Sequence, residues 1–173
     1  MRVFLLFLFY GLGSVILEST WLAGWPSSLI HFNFILYAVI TLALLEEQRG
    51  NIFIIVVLGV LMDTLSSGPF GLSVFSYLIV YGFIRMIISR IMVEVWVARF
   101  VWVGLASLLE KVATGLLAYI WSGDMFIFEI FMRHALPQAV FDASLGLLMI
   151  PLLKKYADLS WNKLFKPKKI IVK

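Results

Sequence analysis

The sequence predicts an all-α integral membrane protein with one membrane domain of six transmembrane helices. Hydrophobic residues make up 62% of the 173 residues and charged residues only 14%, whereas a soluble domain is nearer half apolar and a quarter charged. The apolar residues fall into six runs, most of them close to the length of about 20 residues that a helix needs to cross a bilayer. We place the helices near residues 3–23, 27–45, 51–66, 70–88, 96–120 and 135–153.

Local signals delimit the first three helices. The apolar run after Arg2 continues past residue 17 without a small-residue cleavage site, so we expect an uncleaved helix and not a signal peptide. Pro26 and the two serines after it open the second helix. Asn51 follows Gly50 and is the expected N-cap of the third helix. This helix is short, so we expect it to lie inside the bundle or to thin the bilayer locally.

The third and fourth helices are joined by the sequence Ser-Ser-Gly-Pro-Phe-Gly at residues 66–71. Pro69 sets one φ angle of this tight turn and glycine relieves another. The first amides of the fourth helix lack partners within the helix, and Asp63 lies about one turn before the connection. We therefore expect the Asp63 carboxylate to accept hydrogen bonds from these amides and to interact with the positive end of the helix dipole.

The connection between the fifth and sixth helices, residues 121–134, is rich in phenylalanine and methionine. Asp124 is expected to cap a short helix there, with Glu129 and Arg133 one turn apart. We expect this helix to lie in the plane of the membrane interface. It either packs against lipid or forms a docking surface for a partner helix. The aromatic residues assigned to this outer interfacial segment are Trp121, Phe126, Phe128 and Phe131.

The basic residues predict the orientation. Twelve of the 14 lysines and arginines lie before the first helix, on alternate connections or after Pro151. The positive-inside rule then places both termini in the cytoplasm. A basic tail, residues 154–173, follows the membrane domain of residues 1–153. We expect this tail to contact anionic lipids or a cytoplasmic partner, and it lacks a nucleic-acid-binding motif. The lysines assigned to lipid contact are Lys154, Lys155, Lys163, Lys166, Lys168 and Lys169.

Five ionisable residues fall inside the predicted helices, where such groups usually face the interior of a bundle. They are Glu18, Asp63, Glu110, Lys111 and Asp142. Adjacent residues of a helix point about 100° apart, so Glu110 and Lys111 are not expected to pair. We expect Lys111 to pair with Asp63 or Asp142. Two interpretations stay open: a structural set of one ion pair, neutral acids and helix caps, or a ligand or ion site that opens outward.

The sequence argues against catalysis, a metal site and a bound cofactor. The chain has no cysteine and only two histidines, His31 and His134, which are expected at the outer ends of helices. No protease motif frames a serine with either histidine. The two histidines also lack the spacing of metal ligands. We therefore expect a protein that is not an enzyme.

The motif Gly59-Val60-Leu61-Met62-Asp63, followed by residues 66–71, resembles the signature of the rod-shape-determining MreD family, in which a glycine, an aspartate and a Ser-Gly turn lie between two spans. The late Pro137 and Asp142 and the basic tail also fit this family. The chain departs from it at residues 31–34, where the family often has Pro-Asp-Leu.

The resemblance implies a bundle similar to the substrate-binding subunit of energy-coupling-factor transporters. It implies a non-enzymatic scaffold in the bacterial cytoplasmic membrane that maintains rod shape. Such a scaffold binds MreC and links periplasmic peptidoglycan synthesis to the cytoplasmic MreB filament, together with RodZ, RodA and a class B penicillin-binding protein. The residues implied in a rigid outward hairpin, for partner binding or for structure, are Gly59, Asp63, Ser66, Gly68, Pro69, Phe70 and Gly71.

The alternative function is that of a substrate-capture membrane subunit of a vitamin or small-solute transporter. Both functions use a six-helix bundle, so the fold does not separate them. A transporter subunit is expected to have an outward cavity with converging polar groups. A scaffold is expected to have a packed interior and an apolar lateral groove.

Overall fold

The computed structural model describes residues 2–20, 31–45, 50–65, 69–88 and 96–165. Within these ranges the chain forms six α-helices and no strand. The helices are α1 (Arg2–Thr20), α2 (Phe34–Leu44), α3 (Asn51–Leu65), α4 (Leu72–Ile88), α5 (Trp96–Ser122) and α6 (Met125–Phe165).

Helix α2 begins later than predicted, whereas α3 begins at Asn51, the residue where the sequence placed its start. Helix α2 begins at Phe34, because the Asn33 side chain accepts a hydrogen bond of 3.2 Å from the backbone N–H of Leu36 and so caps the helix. The signals at residues 26–28 lie outside the described residues. Asn51 is not the cap of α3 but its first residue. Its Nδ2 donates to the carbonyl oxygen of Leu42 at 3.1 Å, which ties the start of α3 to α2.

The connection before α6 differs most from the prediction. Helix α5 ends at Ser122, Gly123 turns the chain with a φ of +71°, and Asp124 accepts a hydrogen bond of 2.9 Å from Phe126 N–H. Asp124 therefore starts a helix, as predicted. That helix is not short and separate, because it continues as α6 through Pro137 and Pro151.

Helices α5 and α6 form an antiparallel pair that packs closely at small residues. A Cβ atom added to Gly146 of α6 would lie 2.7 Å from Val103 Cγ1 of α5. A Cβ atom added to Gly115 of α5 would lie 3.1 Å from Phe131 Cβ and 3.2 Å from Phe128 Cδ2. The glycines thus bring the two helices together along much of their length. Phe128 and Phe131 are half-buried against α5, whereas Trp121 and Phe126 are exposed.

Helix α2 lies at the centre of the bundle and contacts each of the other five helices. Its residues from Ile35 to Ala43 are all buried, which explains why the helix is apolar on every face. Arg85 of α4 donates from Nη1 to the carbonyl oxygens of Ala43 at 3.3 Å and Leu45 at 3.2 Å. These bonds satisfy carbonyl groups at the C-terminal end of α2 that have no partner within the helix.

Two helical segments, Trp96–Ser122 and Met125–Tyr156, are long and apolar enough to cross a membrane. The four shorter apolar helices are Leu5–Leu17, Phe34–Leu44, Asn51–Thr64 and Leu72–Ile87. Large apolar side chains are exposed on every described helix except α2. An apolar exterior of this extent is unusual for a soluble monomer and typical of a surface that meets lipid or a partner protein.

Candidate functional site

The first candidate site is the hairpin of α3 and α4, whose connection is held by Asp63. Asp63 lies in the last turns of α3 and is buried. Its Oδ2 accepts a hydrogen bond of 2.8 Å from Gly71 N–H, and its Oδ1 accepts one of 2.8 Å from Ser73 N–H. The predicted hydrogen bonds to the start of α4 are therefore present. Gly71 has a φ of +98°, a conformation that favours glycine.

Gly59 closes the same hairpin one turn below Asp63. A Cβ atom at this position would lie 2.6 Å from Val74 Cα and 3.0 Å from Val74 N, so the backbones of α3 and α4 touch here. Residues 59 and 63 are four apart and share one face of α3. At the turn, Phe70 is 65% exposed and Pro69 is half-buried. Ser66 and Gly68 lie outside the described residues.

The second candidate site is a polar network around the fully buried Asp142 of α6. Asp142 Oδ1 accepts hydrogen bonds from Tyr37 Oη of α2 at 3.2 Å and from Gln138 Nε2 at 3.0 Å. Its Oδ2 accepts one from Ser107 Oγ of α5 at 2.6 Å. One carboxylate thus joins three helices, and such a network stabilises one particular arrangement of them.

Gln138 extends this network to the segment before α2. The backbone N–H of His31 donates to Gln138 Oε1 at 2.9 Å, and Gln138 Nε2 donates to the carbonyl oxygen of His31. The amide of Gln138 therefore pairs with both backbone groups of one residue, as a neighbouring strand would. Sequence reasoning missed Tyr37 and Gln138. Gln138 could have been found, because it lies four residues before Asp142 and therefore on the same face of the helix.

Glu110 and Lys111 form an ion pair, with 3.2 Å between Glu110 Oε2 and Lys111 Nζ. The prediction that these neighbours do not pair is wrong, because both side chains are long enough for their ends to meet across the angle between them. Lys111 was expected to pair with Asp63 or Asp142 on another helix, and its ion pair is instead with the neighbouring Glu110 of α5.

A hydroxyl group connects Glu110 to α4. Thr114 Oγ1 lies 2.7 Å from the Glu110 carbonyl oxygen and 3.0 Å from Ser76 Oγ of α4. Ser76, Glu110 and Thr114 are buried, so this contact crosses the interior between α4 and α5. Of the predicted residues, the structure thus pairs Glu110 with Lys111. Asp142 binds Ser107 of the same helix α5, whereas Asp63 holds the α3–α4 connection.

The other predicted residues lie apart from these networks or beyond the described residues. Glu18 lies in α1, and its side chain is not among the described ones. Lys154 and Lys155 are exposed on α6. The Lys163 side chain and residues 166, 168 and 169 lie outside the described part of the chain.

The polar groups of the two candidate sites join neighbouring helices through hydrogen bonds. Within the described ranges, no group of three or more histidine, cysteine, aspartate or glutamate residues is placed to hold a metal ion. The carboxylates of Asp63 and Asp142 instead accept hydrogen bonds from neighbouring backbone and side chains. Comparison of the chain with protein-family models, curated proteins and solved structures gives no match.

Proposed function

We propose that this chain is a non-enzymatic scaffold of the bacterial cell-wall elongation complex, similar to MreD. In this proposal it is a multi-pass protein of the cytoplasmic membrane, with six transmembrane helices and both termini in the cytoplasm. It binds MreC and couples periplasmic peptidoglycan synthesis to the cytoplasmic MreB filament, and in this way maintains rod shape. The proposal includes a bundle of the kind found in the substrate-binding subunit of energy-coupling-factor transporters.

The distribution of apolar and basic residues supports the membrane arrangement. Two helices have the length and composition of transmembrane spans, and the four others are apolar. Five of the six described helices expose large apolar side chains. The exposed Lys154 and Lys155 lie toward the C-terminal end of α6, where a basic cluster suits the anionic cytoplasmic leaflet.

The Asp63 hairpin is the observation that carries the scaffold proposal. The signature residues support one another: Gly59 allows contact between the helix backbones, Asp63 binds the amides of Gly71 and Ser73, and Gly71 adopts the positive φ. These contacts make the hairpin stiff and leave Phe70 exposed at its turn. A stiff turn that presents an aromatic side chain suits the binding of a periplasmic partner.

The proposed binding contacts are assigned to particular surfaces of the chain. In the proposal the outer hairpin and the exposed apolar helix faces bind MreC. RodZ, RodA and a class B penicillin-binding protein are further members of the same assembly. The basic tail contacts anionic lipids and lies on the same side of the membrane as the MreB filament. The chain contributes position and stability to the complex, and no chemical step is assigned to it.

Native mass spectrometry tests the proposal. The protein is purified from its native membrane in mild detergent, and the intact assembly is weighed. We expect a single-span protein with a large periplasmic domain to co-purify. Asp63→Asn is expected to lower the bound fraction of this protein, whereas Ser144→Ala, at an exposed position of α6, leaves it unchanged. A lone chain that carries a stoichiometric small solute would instead establish the transporter subunit.

A further inference from the structure

The side-chain oxygens of Ser76, Glu110 and Thr114 form a buried oxygen cluster between α4 and α5. Thr114 Oγ1 lies 2.7 Å from the Glu110 carbonyl oxygen, 3.0 Å from Ser76 Oγ and 3.5 Å from Glu110 Oε1. Ser76 Oγ also lies 2.9 Å from the Leu72 carbonyl oxygen. Each hydroxyl group has one hydrogen to donate. Two hydrogens therefore serve four contacts between oxygen atoms, and two of these contacts bring lone pairs together.

The Glu110 carboxylate has room for a further electrostatic partner. Glu110 is only 6% exposed, and its Oε2 accepts no hydrogen bond from the part of the chain that the structure describes. Lys111 Nζ lies 3.2 Å from this oxygen, in ionic contact but without the direction of a hydrogen bond. Because buried polar atoms nearly always have a hydrogen-bond donor, a water molecule or an ion beside them, Oε2 points to a ligand in the oxygen cluster.

The formal charges around the cluster favour a positive ligand. The buried carboxylates of Glu110 and Asp142 contribute two negative charges, and Lys111 contributes one positive charge. The side chains that donate to Asp142 are neutral, namely Tyr37, Ser107 and Gln138. An excess charge inside a membrane bundle is costly. One monovalent cation would neutralise this interior, whereas a divalent ion would leave it positive.

We propose that the oxygen cluster binds one sodium ion. Hydroxyl and carboxylate oxygens are the ligands of hard cations, so the site needs no histidine or cysteine. Sodium has nearly the radius of calcium, and oxygen ligands at right angles around an ion of this size are about 3.3–3.7 Å apart. The separations from Thr114 Oγ1 to Ser76 Oγ and to Glu110 Oε1 are close to this range. The inference goes beyond the proposed scaffold role and does not depend on it.

Other ligands fit the oxygen cluster less well. A water molecule could donate to Glu110 Oε2, but it would add no charge. A proton on Glu110 Oε1 would face Thr114 Oγ1 at 3.5 Å, which is longer than the usual hydrogen bond of about 2.5–3.0 Å between two oxygens. The Lys111 side chain is 19% exposed and that of Glu110 is 8% exposed, so an ion reaches the carboxylate from the side of Lys111.

Thermal unfolding of the purified full-length protein in detergent tests the site. The unfolding midpoint is measured in sodium chloride and in choline chloride at equal ionic strength and equal pH. A ligand that binds only the folded state raises this midpoint. We expect sodium to raise it by about 3–6 °C at about ten times the dissociation constant. Retention of radioactive sodium, measured by scintillation proximity, is expected to reach one ion per chain.

Thr114→Val is the principal variant, because valine keeps the branched shape of the side chain and removes Oγ1. It is expected to abolish the rise of the midpoint with sodium. Thr41→Val in α2 is the matched control. Thr41 is also buried, and its Oγ1 donates to the Tyr37 carbonyl oxygen at 2.7 Å, as Thr114 does to that of Glu110. The control variant is expected to keep the full response to sodium.

A second variant covers the case in which Thr114→Val does not fold. Ser76→Ala removes a single oxygen from the α4 side of the oxygen cluster and leaves Thr114 and Glu110 in place. It is expected to weaken sodium binding about tenfold, since one ligand of the ion is lost. The circular dichroism spectrum of this variant is expected to stay that of a folded helical protein.

Three results would overturn the sodium site. One is an equal midpoint in the two salts with no sodium retained, and another is a full sodium response in both Thr114→Val and Ser76→Ala. The third is a midpoint that follows pH equally in both salts and loses this dependence in Glu110→Gln, which would assign the positive charge to a proton. Co-purification of the periplasmic partner is a separate readout, so failure of the sodium site and failure of the scaffold proposal are distinguishable.

Discussion

Asp142 shows how one polar side chain fixes the relative positions of helices that are distant in sequence. Hydrogen bonds from Tyr37, Ser107 and Gln138 occupy both of its carboxylate oxygens. Each donor is itself buried, so each would lose a partner that water does not replace. The contribution of Asp142 to the stability of the fold therefore depends on these buried donors as much as on the burial of Asp142 itself.

We expect Asp142→Asn to destabilise the protein by about 1–3 kcal/mol. Asparagine keeps the size of the side chain but replaces one accepting oxygen with a donor, so a buried hydroxyl or amide loses its partner. The measurement is the free energy of unfolding in mixed detergent micelles. Ser144→Ala is the control on the same helix, and an equal unfolding free energy for Asp142→Asn and the wild type would contradict the role of the network.

The sequence predicted the hydrogen bonds of Asp63 better than those of Asp142 for a physical reason. Asp63 and Gly71 are eight residues apart, and the tight turn between them leaves few possible arrangements. The partners of Asp142 come from α2, α5 and its own helix. The relative rotation of those helices depends on packing that no local pattern records. The Glu110–Lys111 pair was missed because a helical wheel describes Cβ directions and not the reach of long side chains.

At the scale of helices, glycine sets how closely neighbouring elements approach. The backbones of α3 and α4 touch at Gly59, whereas a Cβ atom added to Gly82 of α4 meets no atom within 4 Å. The residues around the two glycines in the sequence are similar, since each glycine lies inside an apolar helix. Only their surroundings tell them apart.

We expect Gly59→Ala to destabilise the protein by about 1–3 kcal/mol, because the added methyl group pushes against the Val74 backbone. Gly82→Ala is expected to be neutral or to stabilise α4 by about 0.4–1 kcal/mol, since it restricts the unfolded chain without a clash. Thermal unfolding in one detergent compares the two variants directly. Equal unfolding midpoints for the two variants would contradict the prediction, because they would show that α3 can move away from α4 with little loss of stability.

The six helices were predictable as apolar runs, but two of their boundaries were not. The start of α2 depends on Asn33, whose side chain binds Leu36 N–H, and the prediction placed the start at the serines near residue 27. The start of α6 depends on Asp124, which was recognised as a cap. Its continuation through Pro137 was not anticipated, because a proline inside a helix removes a hydrogen bond and usually ends or kinks it.

At the scale of the whole molecule, the proposed orientation is testable because the chain contains no cysteine. Single cysteines at exposed positions therefore give an unambiguous label. Glu129→Cys is expected to react with a membrane-impermeant maleimide added outside spheroplasts. Lys155→Cys is expected to react only after the membrane is opened. Labelling of both positions from the same side would contradict the proposed topology, and the cysteine-free parent is the control.

The central position of α2 has a consequence for how the protein is made. This helix has 11 residues, or about 16 Å at 1.5 Å per residue, roughly half of a bilayer core of about 30 Å. Its carbonyl groups are bound by Arg85, and the segment before it is bound by Gln138. Both residues are translated after α2. A nascent chain that ends before α4 therefore lacks partners for these groups, and we expect such a truncated product to be degraded rather than to accumulate in the membrane.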